Sequence, residues 1–331
     1  MDVTVAQIVV HETTTTVHLQ GDDSQQATDP NTNPQVLHEL ANSKNWELRR
    51  LVASNPNTPT DALWHLGIDF PEEILTNPIF ELLQLEHLHL AAEIPHCTLT
   101  SLLQCDRVPL AFMEYAVNQQ DYSLWLAVAY NSHTPSALLK NLAQKSRRQD
   151  RELIRAVAAH PNTPPQLFTE IIDISCSVAQ IIAENPHTPV AILKDLLRIY
   201  SQNSDLEAVF TTLVALHPHF DRQLLLEMKL APDAAAAEIL WLAKQPTTTS
   251  VQLAELANTD WRVLRLAIVR HPNTSTAIVE QIWHQMRLNQ PTPYQSVKEV
   301  TWKEHRLIYD SFVCNPNISL QLRGELRKLL Q

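Results

Sequence analysis

The sequence predicts an all-α fold built from short helical repeats of about 25–29 residues, and three observations carry that prediction. A phrase recurs along the chain: Asn55-Pro56-Asn57-Thr58-Pro59, His160-Pro161-Asn162-Thr163-Pro164, Asn185-Pro186-His187-Thr188-Pro189 and His271-Pro272-Asn273-Thr274-Ser275, with weaker copies starting at Asp29, Asn131 and Asn315. The segments flanking it carry apolar residues three and four apart, the spacing of one buried helical stripe. Only 3 of the 331 residues are glycine, which argues against sheets closed by tight hairpins.

Each position of the phrase has a physical reading. Pro after Asn or His moves the preceding residue out of the α region, so a helix stops there. Thr followed by Pro, as in Thr58-Pro59, Thr134-Pro135, Thr163-Pro164 and Thr188-Pro189, reads as an N-cap hydroxyl ahead of a proline at the first helical position. Asp61, three residues after Thr58, fits a capping arrangement and opposes the positive helix end. Each phrase is therefore a tight corner between two helices. Dense apolar helices with small residues precede the corners, as in Leu153-Ile154-Arg155-Ala156-Val157-Ala158. Amphipathic helices follow them, as in Ile192-Leu193-x-x-Leu196-Leu197. Stacking such units buries one continuous core and leaves a long exposed surface.

Leu48-Arg49 through Pro59, Leu153 through Pro164, Val178 through Pro189 and Leu264-Arg265 through Thr274 resemble the leucine-rich repeat variant family, whose unit reads Leu-Arg-x-Ala-Val-Ala-x-Asn-Pro-x-Thr-Pro. The resemblance implies a right-handed superhelical solenoid, related in architecture to HEAT and armadillo arrays, and a function in binding. It supplies no shared catalytic residue. Some members carry a cysteine-rich iron–sulfur segment ahead of the repeats; no cysteine precedes Cys97 here, so that segment is not expected.

The corner prolines advance by 29 from Pro135 to Pro164, 25 from Pro164 to Pro189, 28 from Pro218 to Pro246 and 26 from Pro246 to Pro272. Between residues 69 and 115 the steps shorten to 17 (Pro78 to Pro95) and 14 (Pro95 to Pro109), which predicts an irregular, compressed segment. The step of 44 from Pro272 to Pro316 contains Pro291-Thr292-Pro293 and predicts an insertion near 287–300. The repeats are thus expected over 30–302, with 303–331 as a C-terminal capping repeat. Residues 1–29 read as an arm outside the repeats: β-prone at Val3–Val10 and Thr13–Leu19, polar and flexible from Gly21. Such an arm offers a strand for addition to a partner's sheet edge.

With 25 Lys+Arg against 36 Asp+Glu, the net charge of −11 opposes attraction to nucleic acid and acidic membranes. No apolar run reaches the roughly 18 residues of a membrane span, and the N-terminus lacks a secretory pattern, so the expected compartment is the cytoplasm. Cys97, Cys105, Cys176 and Cys314 are scattered, as buried free thiols would be.

Four groups of residues could carry chemistry. His87, His89, His96, Cys97 and Cys105 are metal-ligand types but lack ligand spacing. The corner histidines His133, His160, His187 and His271 are expected to bond locally, as Asn does. Arg49, Arg50, Arg155, Arg265 and Arg270 would align along stacked repeats, either to bind a partner's acidic groups or to tie neighbouring repeats together. Among the tryptophans, Trp125 is expected in the core, whereas Trp46 and Trp261 start helices and are candidates for exposure. No catalytic triad, phosphate loop or carboxylate pair is recognisable. The sequence therefore predicts a non-catalytic protein-interaction scaffold with Trp46, Arg49, Arg50, Arg155, Trp261 and Arg265 on its binding face. No cofactor, metal or small-molecule substrate is expected, and the partner is another protein. Two alternatives stay open: a nucleic-acid-binding HEAT-like solenoid of the DNA-glycosylase kind, and an architectural subunit of a larger bacterial complex.

Overall fold

The computed structural model of the chain describes residues 21–146, 151–201, 204–286 and 307–329, and every regular element among them is a helix. The chain divides into two compact units, Met1–Asn131 and Ser132–Gln331. The interrupted segment predicted near 287–300 and the β-prone residues 1–20 lie outside the described residues.

The first unit contains α1 (Gly21–Thr28), α2 (Pro34–Leu40), α3 (Trp46–Ala53), α4 (Thr60–Leu66), α5 (Pro71–Thr76), α6 (Pro78–Glu86), α7 (Leu90–Glu93), α8 (His96–Leu103), α9 (Leu110–Asn118) and α10 (Tyr122–Tyr130). Helices α1, α3, α5, α8 and α10 pack successively into one layer, and the helices after each corner form the second. Residues 21–28, expected in the loose arm, instead form α1, which buries Ala27 and packs on α3. The first repeat thus starts near Gly21, because the Ala27 and Asp29 carbonyls are needed by the next corner. The irregular stretch at 69–115 contains the extra four-residue helix α7. At the α4 terminus, a Cβ on Gly67 would stand 2.7 Å from Thr98 Cγ2, so glycine is what lets α8 approach.

The second unit contains α11 (Ser136–Lys145), α12 (Arg151–Ala159), α13 (Pro165–Ile171), α14 (Cys176–Glu184), α15 (Val190–Tyr200), α16 (Ser204–Leu216), α17 (Arg222–Glu227), α18 (Ala234–Ala243), α19 (Ser250–Leu256), α20 (Arg262–Arg270), α21 (Thr276–Gln285), α22 (residues 307–313) and α23 (Leu320–Leu329). Here α12, α14, α16 and α20 pack in series and α18 rests on α20. Small and β-branched side chains such as Ala156, Val157, Ala158, Val178 and Ala179 are buried, which permits close helix approach.

Polar corner residues hold successive repeats together. The first corner residue is buried: Asn55, Asn77, Asn131, Asn185 and Asn315, or His160, His217 and His271. Buried amides demand partners. Asn185 Nδ2 donates to the Ala158 carbonyl at 2.9 Å and the His160 carbonyl at 3.0 Å, both in the preceding repeat, while its Oδ1 accepts the His187 amide at 3.0 Å. Asn55, Asn77 and Asn315 repeat this pattern. Asn131 donates likewise to Leu103 and Cys105. Histidine reproduces it with ring nitrogens. His217 Nδ1 accepts the His219 amide at 3.2 Å and Nε2 donates to the Asn185 carbonyl at 2.9 Å; His271 does the same with Asn273 and Gln245. The expected local bonds are present at His160, whose Nδ1 accepts the Asn162 amide, and at His271.

The third corner residue forms a parallel series. Asn57, Asn162, Asn273 and Asn317 donate Nδ2 to the carbonyls of Thr32, Thr134, Thr248 and Thr274 of the preceding corner. The fourth, threonine, does not cap the following helix as the sequence suggested. Thr58 and Thr188 hydroxyls donate backward to the Val52 and Ile182 carbonyls, at 2.7 and 2.6 Å, and Thr163, Thr248 and Thr274 do likewise. Those carbonyls belong to the last turn of the preceding helix, where each also accepts the amide three residues on, so the threonine hydroxyl takes the second lone pair. The N-cap is the fifth residue: Pro59, Pro164 and Pro189 without a side-chain bond, and Thr249 with a full capping box to Gln252. Asp61 bonds His38 of α2 at 3.1 Å instead of completing a cap.

Candidate functional site

In the first unit, Asn45 caps α3 by accepting the Glu47 and Leu48 amides, which sets Trp46 as the first helical residue. The indole is 56% exposed and tilts against Phe70 with ring centroids 5.3 Å apart. Arg50, one turn later, lies 6.0 Å from the indole, donates to Glu47 at 2.8 Å and reaches Glu73 of α5 at 3.5 Å. The hydrogen bond from Arg50 holds the Glu47 carboxyl below its usual range and raises the guanidinium in turn. Arg49 donates to Asp69 at 2.8 Å and lies 5.5 Å over Phe70, with its Nε buried and unpartnered. Arg49 therefore ties α3 to the segment entering α5, Arg50 is held mainly by Glu47 of its own helix with only a 3.5 Å reach to Glu73, and Trp46 stays the exposed apolar surface of the group.

In the second unit, Arg155 is exposed on α12 and occupies the register of Arg50, five residues before the first corner residue. Arg265 matches Arg49, six residues before it. Its side chain is only 14% exposed, bonds Asp260 at 3.1 Å and also buries an unpartnered Nε. Trp261 is half-buried and is the N-cap residue of α20. Arg270 is drawn inward: Nε donates to the buried Ser311 hydroxyl at 2.8 Å, Nη2 lies 3.9 Å from Glu184, and burial lowers its pKa. The candidates thus separate by register into Arg50 and Arg155, which face outward, and Arg49, Arg265 and Arg270, which serve the stack. Trp125 is only partly buried; its Nε1 donates to the Gln119 carbonyl at 2.8 Å.

Lys244 is a residue the sequence reading missed. Gln245 stands in the first corner position but bonds its own helix, and Lys244 takes over the inter-repeat role. Its Nζ donates to the Ala215, His217 and Phe220 carbonyls at 3.0, 3.0 and 2.7 Å, and burial pushes its pKa down to about 8. The available signal was a lysine one residue before a corner that lacked Asn or His.

Ser123, His96 and Asp121 meet in the first unit, yet not as a nucleophile relay. His96 Nε2 faces both Asp121 Oδ2 at 2.9 Å and the Ser123 hydroxyl at 3.1 Å, so one ring nitrogen meets both groups. The Ser123 hydroxyl also donates to Asp121 and holds its carboxyl below the usual range, and Asp121 caps α10. The triad logic needs opposite ring nitrogens. His87 pairs with Glu93 at 2.9 Å, and no group of three or more His, Cys, Asp or Glu side chains is placed to hold a metal ion among the described residues. Among them, too, no helix is long and apolar enough to cross a membrane.

Residues 21–67 match the family described as Leucine Rich Repeat Variant domain, which covers the first two corners and their hydrogen-bond pattern. No curated protein and no solved structure matches the chain.

Proposed function

We propose that the chain is a non-catalytic protein-binding scaffold. One observation carries this reading: the polar corner side chains are spent on the preceding repeat, as in the Asn185 bonds to Ala158 and His160. The outward residues of the first-layer helices are therefore held in fixed register without ordering at the moment of contact, which lowers the cost of association. Trp46 and Arg50 in the first unit and Arg155 in the second are the anchors, Trp46 and Arg155 exposed and Arg50 half-buried, aromatic and guanidinium groups of the kind enriched in binding hot spots. Arg49, Arg265 and Arg270 support the stack.

The test is quantitative capture of partners from the native cell by the tagged wild-type chain, by Trp46→Ala/Arg50→Ala/Arg155→Ala and by Arg49→Ala/Arg265→Ala. The first variant is expected to lose specific partners while keeping its helicity and melting temperature. The second is expected to lose stability. Undiminished capture by the first variant would refute the assignment of this face.

A further inference from the structure

The charge of the chain is divided unequally between the two units. Residues 1–131 hold 17 Asp+Glu and 4 Lys+Arg; the remainder hold 36 − 17 = 19 and 25 − 4 = 21, so the units carry −13 and +2. No Lys or Arg occurs between Arg50 and Arg107. Within that stretch α6 is apolar on two sides. Phe80 and Leu83 point into the core, whereas Leu82 and Leu85 are 54% and 80% exposed, followed by Leu88 at 91%. A second apolar stripe on a helix, besides the one facing the core, is normally covered. Leu110, at the start of α9, is 49% exposed. A groove of about 170 Å³ reaches Leu88 among these leucines and is walled by Gln84, His87, His89, Ala111 and Tyr115 besides. The exposed carboxylates Glu81, Glu86, Glu93 and Glu114 belong to the same three helices, α6, α7 and α9.

From this pairing of exposed leucines with exposed carboxylates, of which Glu93 is held by His87 at 2.9 Å, we propose that the α6–α7–α9 surface docks a cationic amphipathic segment of another protein. Its apolar side chains would cover Leu82, Leu85 and Leu88, and its Lys or Arg side chains would face Glu81, Glu86 and Glu114. The leucines supply contact area, the carboxylates supply orientation and encounter rate, and a wrong-sign segment is rejected by repulsion. The inference rests on the reading of the chain as a binding scaffold but uses a surface separate from Trp46, Arg50 and Arg155.

The probe is a labelled synthetic helix of about 18 residues with leucines on one face and lysines on the other, titrated onto the full chain by fluorescence anisotropy. Controls replace its lysines with glutamate or its leucines with serine. The Leu-Lys peptide is expected to bind, and both controls to bind at least about tenfold more weakly. Leu85→Ser/Leu88→Ser should weaken the Leu-Lys peptide about tenfold or more with unchanged circular dichroism. Should that variant lose its fold, Glu81→Lys/Glu86→Lys/Glu114→Lys decides: it should reverse the preference between the Lys and Glu peptides. Equal binding of all three peptides, binding indifferent to these variants, or no binding overturns the proposal. So does sedimentation showing a dimer of the free chain that Leu85→Ser/Leu88→Ser dissociates, since the occupant would then be a second copy. Each of these results leaves capture through Trp46, Arg50 and Arg155 independently measurable.

Discussion

Asn185 offers the sharpest perturbation of the corner bonds. Its side chain is 3% exposed and makes three bonds, donating to Ala158 and His160 and accepting from the His187 amide. Asn185→Asp keeps the shape but places a carboxylate oxygen 2.9–3.0 Å from two carbonyls that can only accept. Two bonds worth about 1 kcal/mol each are lost, the Ala158 carbonyl loses its side-chain donor while the His160 carbonyl keeps the Thr163 amide at 3.2 Å, and carboxylate–carbonyl repulsion is added, for a destabilisation of about 3–5 kcal/mol. Asn185→Ala removes all three bonds without adding repulsion and should cost about 2–4 kcal/mol. Asn185→His restores the acceptor and one donor, as His217 and His271 do in their own corners, and should cost about 1 kcal/mol. Urea unfolding followed by far-UV circular dichroism gives the order, provided the denaturant slope is unchanged. Exchange of the His187 amide reports the site directly where the array departs from two-state unfolding. If Asn185→Asp lay within about 1 kcal/mol of wild type, or Asn185→His were as damaging as Asn185→Asp, the reasoning would fail.

Two further outcomes follow from particular contacts. Gly67→Ala should destabilise the first unit by about 1–3 kcal/mol, because the new methyl meets Thr98 Cγ2 at 2.7 Å and the Thr98 hydroxyl is held by the Trp64 carbonyl; a melting temperature equal to wild type would contradict this. Burial, reinforced by Glu72 and Asp106, pushes the Cys105 thiol up to about 12, whereas Cys97 and Cys314 are exposed. Alkylation at mildly alkaline pH should therefore modify Cys97 and Cys314 at least about tenfold faster than Cys105, as read by peptide mass spectrometry, and the difference should vanish in denaturant.

The helical class and the corners were legible because Pro and the 3.6-residue period act locally. The Asn-Pro-x-Thr-Pro phrase located the helix boundaries, but the target of Thr58 was not local information. Its hydroxyl could serve the next helix's amides or the previous helix's carbonyls, and burial of the Val52 carbonyl decides for the latter. The interchange of Asn and His at the first corner position was visible, and both residue types set a donor and an acceptor at similar spacing. That the donor reaches the preceding repeat required the stack itself. For the same reason, adjacent residues as alike as Arg49 and Arg50, one partly buried against Asp69 and Phe70 and one outward, could not be told apart from composition. Lys244 replaces an asparagine from a shifted position, which no fixed spacing reveals.

The most direct measurement of the corner bonds is nitrogen-detected NMR of the histidine side chains. His217 is required to be neutral with its proton on Nε2, since Nδ1 accepts the His219 amide and Nε2 faces the Asn185 carbonyl. Burial lowers its pKa to about 4. The unfolded chain takes up a proton near pH 6.5 that the folded chain refuses, so stability is full above that pH. It falls as the pH drops from there towards 4, by about 2 kcal/mol once solvent screening is allowed for. An Nε2–H tautomer that persists to about pH 4 is the predicted result. A His217 ring that titrates near its ordinary value, about 6.5, or carries its proton on Nδ1, would contradict the account.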